Sequence, residues 1–176
     1  EADRLAFAEK YGISNAIDPP QQAKLYRRHG DKLRSKGLFD AAIAAYQRSM
    51  TISQSDPEAF AGLGAAYMGQ GKNEAAISAF QKALELAPNH YWSRRLLGNA
   101  YLNLQRYALA ADELTQAFML NPQDTHLLLG IALGQGRSGD TEQALRTLEM
   151  LLSRTEDLQQ RTDAELLRLE FSQDTP

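Results

Sequence analysis

The sequence contains no cysteine and no valine, and none of its apolar runs approaches the length of a bilayer span. Without cysteine the chain has no disulfide, no thiolate metal site and no cysteine nucleophile, and either redox compartment would suit it. Without valine it is a poor candidate for a parallel sheet, which normally needs runs rich in valine and isoleucine. Without a long apolar run it gives no indication of membrane insertion.

The net charge, the chain length and the hydrophobic content set only broad limits on the class of protein. A formal net charge of −3 gives no global case for binding nucleic acid. The length of 176 residues suits one domain or one repeat array, and a hydrophobic content of 43% is enough for a core. Because the chain begins at Glu1 rather than at methionine, we expect that an upstream segment was trimmed, together with any signal peptide or lipid anchor.

A period of 34 residues runs through most of the chain. Small residues recur at this interval at Gly30, Gly64, Gly98 and Ala132, and again at Ala42, Ala76, Ala110 and Ala144. Four positions after each alanine of the second set stands a larger side chain: Tyr46, Phe80, Leu114 and Leu148. A turn position in the same register holds Gly37, Gly71, Gln105 and Gly139. Small residues let two helices approach closely, and the larger residue one turn along fills the gap, so the period predicts stacked helical hairpins.

The unit from Pro57 to His90 carries Phe60-x2-Leu63-Gly64-x2-Tyr67, then Ala76-x3-Phe80 and Pro88. It resembles the tetratricopeptide repeat, a helix-turn-helix unit with this pattern. Units at 23–56, 91–124 and 125–158 keep parts of the pattern, the last of them least. The resemblance implies an all-α fold, a right-handed superhelical array of four such repeats. Residues 1–22 would form an extension with a short helix at Arg4–Tyr11 and a proline-containing turn, and residues 159–176 a capping helix and tail.

One stretch suggests a different fold. "GQGRSG", from Gly134 to Gly139, has the G-x-G-x-x-G spacing of a dinucleotide-binding loop, which must follow a strand and open a helix. In the repeat register, however, Gly139 is the turn glycine of the fourth unit, and Gly134 and Gly136 fall inside its first helix. We therefore reject the nucleotide hypothesis and expect these two glycines to weaken the helix or to leave room beside it.

The end of the chain is predicted to be a helix that caps the array. An array needs a terminal element with a polar outer face, because its last repeat cannot bury its own apolar side. The segment from Glu156 to Ser172 fits this role, with an inner stripe of Leu158, Ala164, Leu167 and Phe171. Thr162 and Glu165 have the spacing of a capping box, which predicts a break or restart of the helix there.

The chain shows no catalytic constellation. Its three histidines, His29, His90 and His126, do not make a metal-binding spacing, and the pair Asp112 and Glu113 is expected to face water. We expect no catalytic residue, no metal and no cofactor.

A partner would bind in the groove lined by the first helix of each repeat. The geometry of the family implies that side chains at the second, fifth, ninth, twelfth and thirteenth places of that helix face inward. The candidate partner-binding residues are Arg27, Arg34, Met68, Trp92, Arg95, Asn99, Leu102, Asn103, His126, Leu129, Leu133 and Arg137. Arg95, Asn99 and Asn103, spaced by four, could engage a peptide backbone or carboxylate together. The alternative is structural: Trp92 covers the preceding turn, and the leucines pack between helices.

Co-chaperones of this family hold the terminal carboxylate of heat-shock chaperones with Lys, Arg and Asn at fixed places. Those places here hold Arg27, Asp31, Gly62, Trp92 and Leu96, and one repeat later Ala61, Ala65, Leu96, His126 and Gly130. Only Arg27 is compatible, so we expect no carboxylate clamp.

The resemblance thus implies a non-enzymatic scaffold or adaptor that binds a peptide or helix of another protein. Because the family includes many bacterial adaptors, the narrower expectation is an assembly factor for a secretion, pilus or envelope complex, in the cytoplasm or in the bacterial periplasm or envelope. A second hypothesis is self-association, in which the basic first repeat of one copy meets the acidic end of another. The basic run has six Lys or Arg between Lys24 and Lys36 against Asp31. The acidic end has Glu156, Asp157, Asp163, Glu165, Glu170 and Asp174 against Arg161 and Arg168.

Overall fold

The structure, a computed structural model, describes residues 18–173. Within that range the chain forms nine α-helices and no β-strand. The helices are α1 (Pro19–Ser35), α2 (Phe39–Ile52), α3 (Pro57–Gly69), α4 (Asn73–Leu86), α5 (Tyr91–Asn103), α6 (Tyr107–Leu120), α7 (His126–Arg137), α8 (Thr141–Arg154) and α9 (Leu158–Gln173). The predicted short helix at 4–11 and the acidic residue Asp174 lie outside the described residues.

The helices pack as a row of hairpins. Each odd-numbered helix from α1 to α7 packs against the even-numbered helix that follows it, and each even-numbered helix packs against the first helix of the next hairpin. The last helix, α9, packs against α8 and α7, in the place that the first helix of a fifth hairpin would take. The predicted all-α array of four hairpins with one helix after them is confirmed.

Aspartates start two of the first helices. The carboxylate of Asp18 accepts a hydrogen bond from the Gln21 backbone N–H at 3.3 Å, and that of Asp56 accepts one from the Glu58 N–H at 3.0 Å. A proline at the first helical position follows each aspartate, where its missing N–H costs nothing. Because Asp18 acts as the cap, α1 begins at Pro19, inside the segment 1–22 that was predicted to be an extension.

The first helix of every hairpin ends with the same hydrogen bond. The N–H of Leu38 donates to the carbonyl of Leu33 at 3.0 Å, and three equivalent bonds follow at intervals of 34: Lys72 to Tyr67, Arg106 to Tyr101 and Asp140 to Gln135, each at 2.9 Å. This closure requires a left-handed residue just before the donor. Glycine fills that place with φ of +74°, +74° and +100° at 37, 71 and 139, and Gln105 fills it with φ of +56°.

The glycines of "GQGRSG" are packing residues. Gly134 and Gly136 lie inside α7, and Gly139 lies in the turn after it. A Cβ atom on Gly134 would lie 2.8 Å from the carbonyl oxygen of Tyr107 in α6, and one on Gly136 would lie 2.2 Å from the ring of Phe171 in α9. The expectation that these glycines leave room beside the helix is confirmed.

Two expectations about the cap are wrong. The α9 helix runs without a break from Leu158 to Gln173, and the hydroxyl of Thr162 donates to the Leu158 carbonyl instead of capping a restart. Ala164 and Phe171 are buried and Leu167 packs against the core, as predicted, but Leu158 is 81% exposed. With Leu166 and Leu169 it lies on the outer face, among the exposed polar residues Gln159, Arg161 and Thr162.

Side-chain pairing between helices also differs from expectation at one acidic residue. Asp112 is exposed, as predicted, but Glu113 is half-buried and forms an ion pair with Arg94 at 2.7 Å. Arg94 stands at the place where the family pattern has an aromatic residue. The ion pair therefore links α5 and α6 where ring packing would otherwise do so.

Gln105 gives a test of the turn geometry. A non-glycine residue in the left-handed region costs about 1 kcal/mol, so we expect Gln105→Gly to raise the free energy of unfolding by about 0.5–1 kcal/mol. The measurement is urea unfolding followed by far-ultraviolet circular dichroism. Gly71→Gln is the matched control in the second hairpin, where a Cβ would contact nothing within 4 Å. Gly71→Gln should lower the free energy of unfolding by about 1 kcal/mol. If Gln105→Gly also lowered it, or left it unchanged, residue 105 would not be strained.

Candidate functional site

A cavity of about 450 Å³ opens between three consecutive first helices, α1, α3 and α5. Its floor is formed by the small residues Ala61, Gly62 and Ala65 of α3. Because these side chains are so short, the surface is recessed between the two flanking helices. The volume lies in the range of sites that hold a small ligand or a few side chains of a bound peptide.

The depth of the cavity follows from a break in a repeated ion pair. In the first hairpin, Arg27 Nε lies 3.1 Å from Asp56 Oδ2, and in the third, a terminal nitrogen of Arg95 lies 3.3 Å from Asp124 Oδ2. Each pair joins the fifth place of a first helix to the residue just before the next repeat. In the second hairpin the fifth place is Ala61, so no arginine side chain fills the groove there.

The apolar wall of the cavity is built by three side chains: Met68 of α3 and Trp92 and Leu96 of α5. Trp92 is 53% exposed, which is unusual for so large an apolar ring. The guanidinium of Arg95 lies 5.3 Å from the centroid of the ring, and Tyr91 meets it edge-on at 5.1 Å. These contacts hold the indole in place while one face stays open to the groove.

Charged groups surround the apolar wall. Glu58 lies at the start of α3, and its carboxylate is 3.1 Å from His90 Nε2, while His90 Nδ1 lies 2.7 Å from the hydroxyl of the buried Ser93. On the opposite side stand Asp31 and Arg34 of α1. The cavity therefore offers two carboxylates and one guanidinium around an apolar recess.

The phenol of Tyr46 fixes one of these carboxylates. Its hydroxyl donates to Asp31 Oδ1 at 2.8 Å, and its ring is fully buried between α1 and α3. Burial, and after it the hydrogen bond to Asp31, raises the pKa of Tyr46 well above its ordinary value of 10.0. Burial and the hydrogen bond to Asp124 also raise the pKa of Tyr91.

The other predicted groove residues are engaged in contacts of their own. Asn103 donates to Asn73 Oδ1 at 3.2 Å, Leu102 and Leu129 pack against the core, and His126 is hydrogen-bonded to Gln160. Arg137 forms an ion pair with Glu170 at 2.6 Å and lies over the ring of Phe171. Asn99 and Leu133 are half-buried.

The structure therefore does not gather the twelve predicted residues into one surface. Three of them, Arg34, Met68 and Trp92, line the cavity, while Arg27 and Arg95 brace it through their aspartates. His126 and Arg137, at the two ends of α7, are held by Gln160 and Glu170 of the neighbouring helix α9. Arg95, Asn99 and Asn103 do not form a free set, because Arg95 and Asn103 are held by residues of other helices.

Several cavity residues were missing from the predicted site. Asp31, Glu58, Ala61 and Ala65 occupy inward places of the family pattern, but nothing in their residue types marked them as more important than their neighbours. The lack of a large side chain at residue 61 was the informative feature. Leu96 occupies the sixth place of its helix, outside the inward set.

The described residues contain neither a metal-binding group nor a membrane-spanning helix. Between residues 18 and 173, no group of three or more His, Asp and Glu side chains is arranged to hold a metal ion. Over the same range, every helix is too short or too polar to cross a bilayer.

Family models match the chain across its central repeats. A model described as tetratricopeptide repeat matches residues 57–90, a second, described as TPR repeat, matches 30–71, and a third, again tetratricopeptide repeat, matches 79–111. The four identical helix closures described above fall at the same interval. Residues 30–111 of the chain belong to the tetratricopeptide repeat family. Comparison with curated proteins found no match.

Solved structures of other proteins have a similar fold. A crystal structure of MamA protein shares 25% identity, with a TM-score of 0.74 and coverage of 87% of each chain. YrrB, described as a TPR protein with an unusual peptide-binding site, shares 20% identity with a TM-score of 0.74, over 85% of this chain and 78% of that one. The first TPR of Spaghetti (RPAP3), bound to the HSP90 peptide SRMEEVD, shares 22% identity with a TM-score of 0.62, over 67% of this chain and 93% of that one.

The raised pKa of Tyr46 gives a second test. An unfolded phenol releases its proton near pH 10, whereas the folded one holds it. The stabilising contribution is therefore complete below pH 10 and is lost as the pH rises above it. Tyr46→Phe should lower stability at pH 8 by about 1 kcal/mol, because Asp31 loses a donor. Its stability should then fall less than that of the wild type between pH 9 and pH 11 in urea titrations. An unchanged slope would show that Tyr46 ionises normally.

Proposed function

We propose that the cavity between α1, α3 and α5 binds a segment of another protein and that the chain acts as a scaffold or adaptor. The observation that carries the proposal is the recess at Ala61 beside the exposed Trp92. An apolar ring of this size that is held by its neighbours and left open on one side is typical of a binding anchor. The mechanism is passive, since a preformed surface loses little conformational freedom on binding.

The chemistry of the cavity indicates what kind of segment fits. A bulky apolar side chain would lie on Ala61 and Ala65 and against Trp92. Polar or charged neighbours in the same segment would meet Glu58 on one side and Arg34 on the other. A segment with one apolar anchor between a basic and an acidic or amide residue satisfies all three groups.

This occupant differs from that of the carboxylate clamp. The Spaghetti (RPAP3) domain holds the HSP90 peptide SRMEEVD. At the places where the family clamp has Asn and basic residues, this chain has Asp31, Gly62, Trp92 and Leu96. Because Asp31 would repel a terminal carboxylate, we propose an internal segment rather than a chain end as the ligand.

A narrower setting is also proposed: an assembly factor of a bacterial secretion, pilus or envelope complex. Its support is the resemblance to bacterial adaptors of the same family. Cross-linking would test it, with a photoreactive amino acid in place of Met68 and, as a matched control, of the exposed Met119 on α6. In the source cell, a component of such a complex should be captured from position 68 only. Capture of soluble proteins unrelated to an assembly would remove the narrower setting and leave the binding proposal.

The four methionines allow the site to be tested directly. With 13C-labelled methionine methyl groups, titration of a synthetic peptide from the captured segment should shift the Met68 signal and leave Met50, Met119 and Met150 unchanged. Trp92→Ala should weaken binding by about tenfold or more, since it removes a central aromatic contact. Met119→Ala is the control for loss of an exposed apolar side chain and should have no effect. Binding that survives Trp92→Ala and shifts a different methionine would place the site elsewhere.

A further inference from the structure

The second hairpin lacks both members of the ion pair that braces the groove in the hairpins before and after it. In those two hairpins, an arginine at the fifth place of the first helix pairs with an aspartate just before the next repeat: Arg27 with Asp56 and Arg95 with Asp124. At the same two places, 34 residues from each neighbour, the second hairpin has Ala61 and His90. The space over Ala61 is therefore one in which this array elsewhere holds an arginine side chain.

A carboxylate lies close to this space, although the aspartate is missing. It belongs to Glu58, which precedes Ala61 by one helical turn, lines the cavity and is 51% exposed. His90 holds it from behind, with Nε2 at 3.1 Å from Glu58 Oε1 and Nδ1 at 2.7 Å from the hydroxyl of the buried Ser93. The histidine that replaces the aspartate thus positions another acidic side chain at the rim, with Oε2 left for a ligand.

The charge of Glu58 is the one that the cavity lining does not offset. The other two charged lining residues, Asp31 and Arg34, have opposite signs and lie beside the same phenol, that of Tyr46. Burial and Asp31 raise the pKa of this phenol, whereas Arg34 lowers it. Among residues 18–173, no lysine or arginine forms an ion pair with Glu58. A ligand with a positive charge at the Glu58 end therefore complements the cavity.

The indole of Trp92 indicates which cation fits. Trp92 and Glu58 occupy the same place of α5 and α3, and both line the cavity. One guanidinium, that of Arg95, already lies 5.3 Å from the centroid of the ring, which is nevertheless 53% exposed. A guanidinium is planar, so it can lie against an indole and at the same time donate two hydrogen bonds to a carboxylate, whereas an ammonium lacks this fork. The site therefore favours arginine over lysine.

We propose that the bound segment presents an arginine to this cavity, over Ala61, where the neighbouring hairpins hold an arginine of their own. The guanidinium donates to Glu58 and lies against the open part of the Trp92 ring. The apolar anchor of the same segment packs beside the arginine stem on the floor of the cavity. This inference rests on the proposed function and names the chemistry of the basic residue in the segment that binds there.

Two short peptides test the assignment. The probes are acetyl-Arg-Leu-amide and acetyl-Leu-Arg-amide, each compared with the peptide that has citrulline in place of arginine. Citrulline keeps the shape of the side chain but carries no charge. Because the sequence has one tryptophan and four methionines, the indole N–H signal of Trp92 and the 13C-labelled methyl signal of Met68 can be followed individually by NMR.

At least one arginine peptide should shift both signals, with a Kd of about 1 mM. Citrulline should weaken binding by about tenfold, because the ion pair and the contact of the cation with the indole are both lost. Glu58→Gln in the protein should reduce this preference for arginine to about threefold. Glu85→Gln, the same change at an exposed residue of α4, is the matched control and should leave the preference intact.

Rebuilding the brace gives a second test. Ala61→Arg with His90→Asp restores the pair of the neighbouring hairpins, so the protein's own arginine should fill the cavity and the arginine peptides should no longer bind. His90→Asp alone leaves the space over Ala61 open and should still bind them. Far-ultraviolet circular dichroism should stay helical, since both residues pack at these places in the first and third hairpins. If the double variant unfolds, the comparison with Glu58→Gln decides.

Three outcomes would overturn the inference. Equal shifts of the Trp92 signal by the arginine and citrulline peptides, or no shift up to about 20 mM, would show that the cavity does not select a guanidinium. A segment that is captured at Met68 but contains no arginine would do the same while supporting the proposed function. A preference for arginine that survives both Glu58→Gln and the rebuilt brace would place the arginine site on another surface.

Discussion

The array depends on one contact, between a glycine (Ala132 in the fourth hairpin) on the first helix of a hairpin and a large side chain on the second. A Cβ atom on Gly30 would lie 2.8 Å from the ring of Tyr46, and one on Gly64 would lie 2.6 Å from that of Phe80. These distances are too short for any other residue unless a neighbour moves. The contact therefore fixes how close the two helices come, and its recurrence every 34 residues sets the spacing of the hairpins.

The same contact positions the candidate site. Tyr46 packs its ring on Gly30 and Gly62, and its hydroxyl holds Asp31 at the edge of the groove. The floor of the cavity beside it exists because Ala61 replaces the arginine that bridges to an aspartate in the first and third hairpins. Core packing and groove chemistry therefore share residues, so the groove geometry is as rigid as the hairpins that form it.

The sequence predicts the hairpins well because their determinants are local and periodic. Small residues, the larger residue four places on and the turn glycines all lie within one repeat. The site was less predictable, because pairs such as Arg95 with Asp124 and Arg137 with Glu170 join residues about thirty positions apart. No pattern in a single sequence shows which arginine will find such a partner. Leu158 was misplaced for a related reason: helical spacing gives a face, but not the neighbour that covers it.

The helix α7 has glycines on two of its faces. Gly134 lets α6 approach one side, and two positions later Gly136 receives Phe171 of α9 on the other. Together with Gly130, these residues make three glycines in the 12 residues of α7. Each glycine lowers the intrinsic stability of the helix by about 1 kcal/mol relative to alanine. Alone, such a segment would be a poor helix. Its helical conformation therefore depends on packing from α6 on one side and α9 on the other, so a change in Phe171 would be felt in the fourth hairpin.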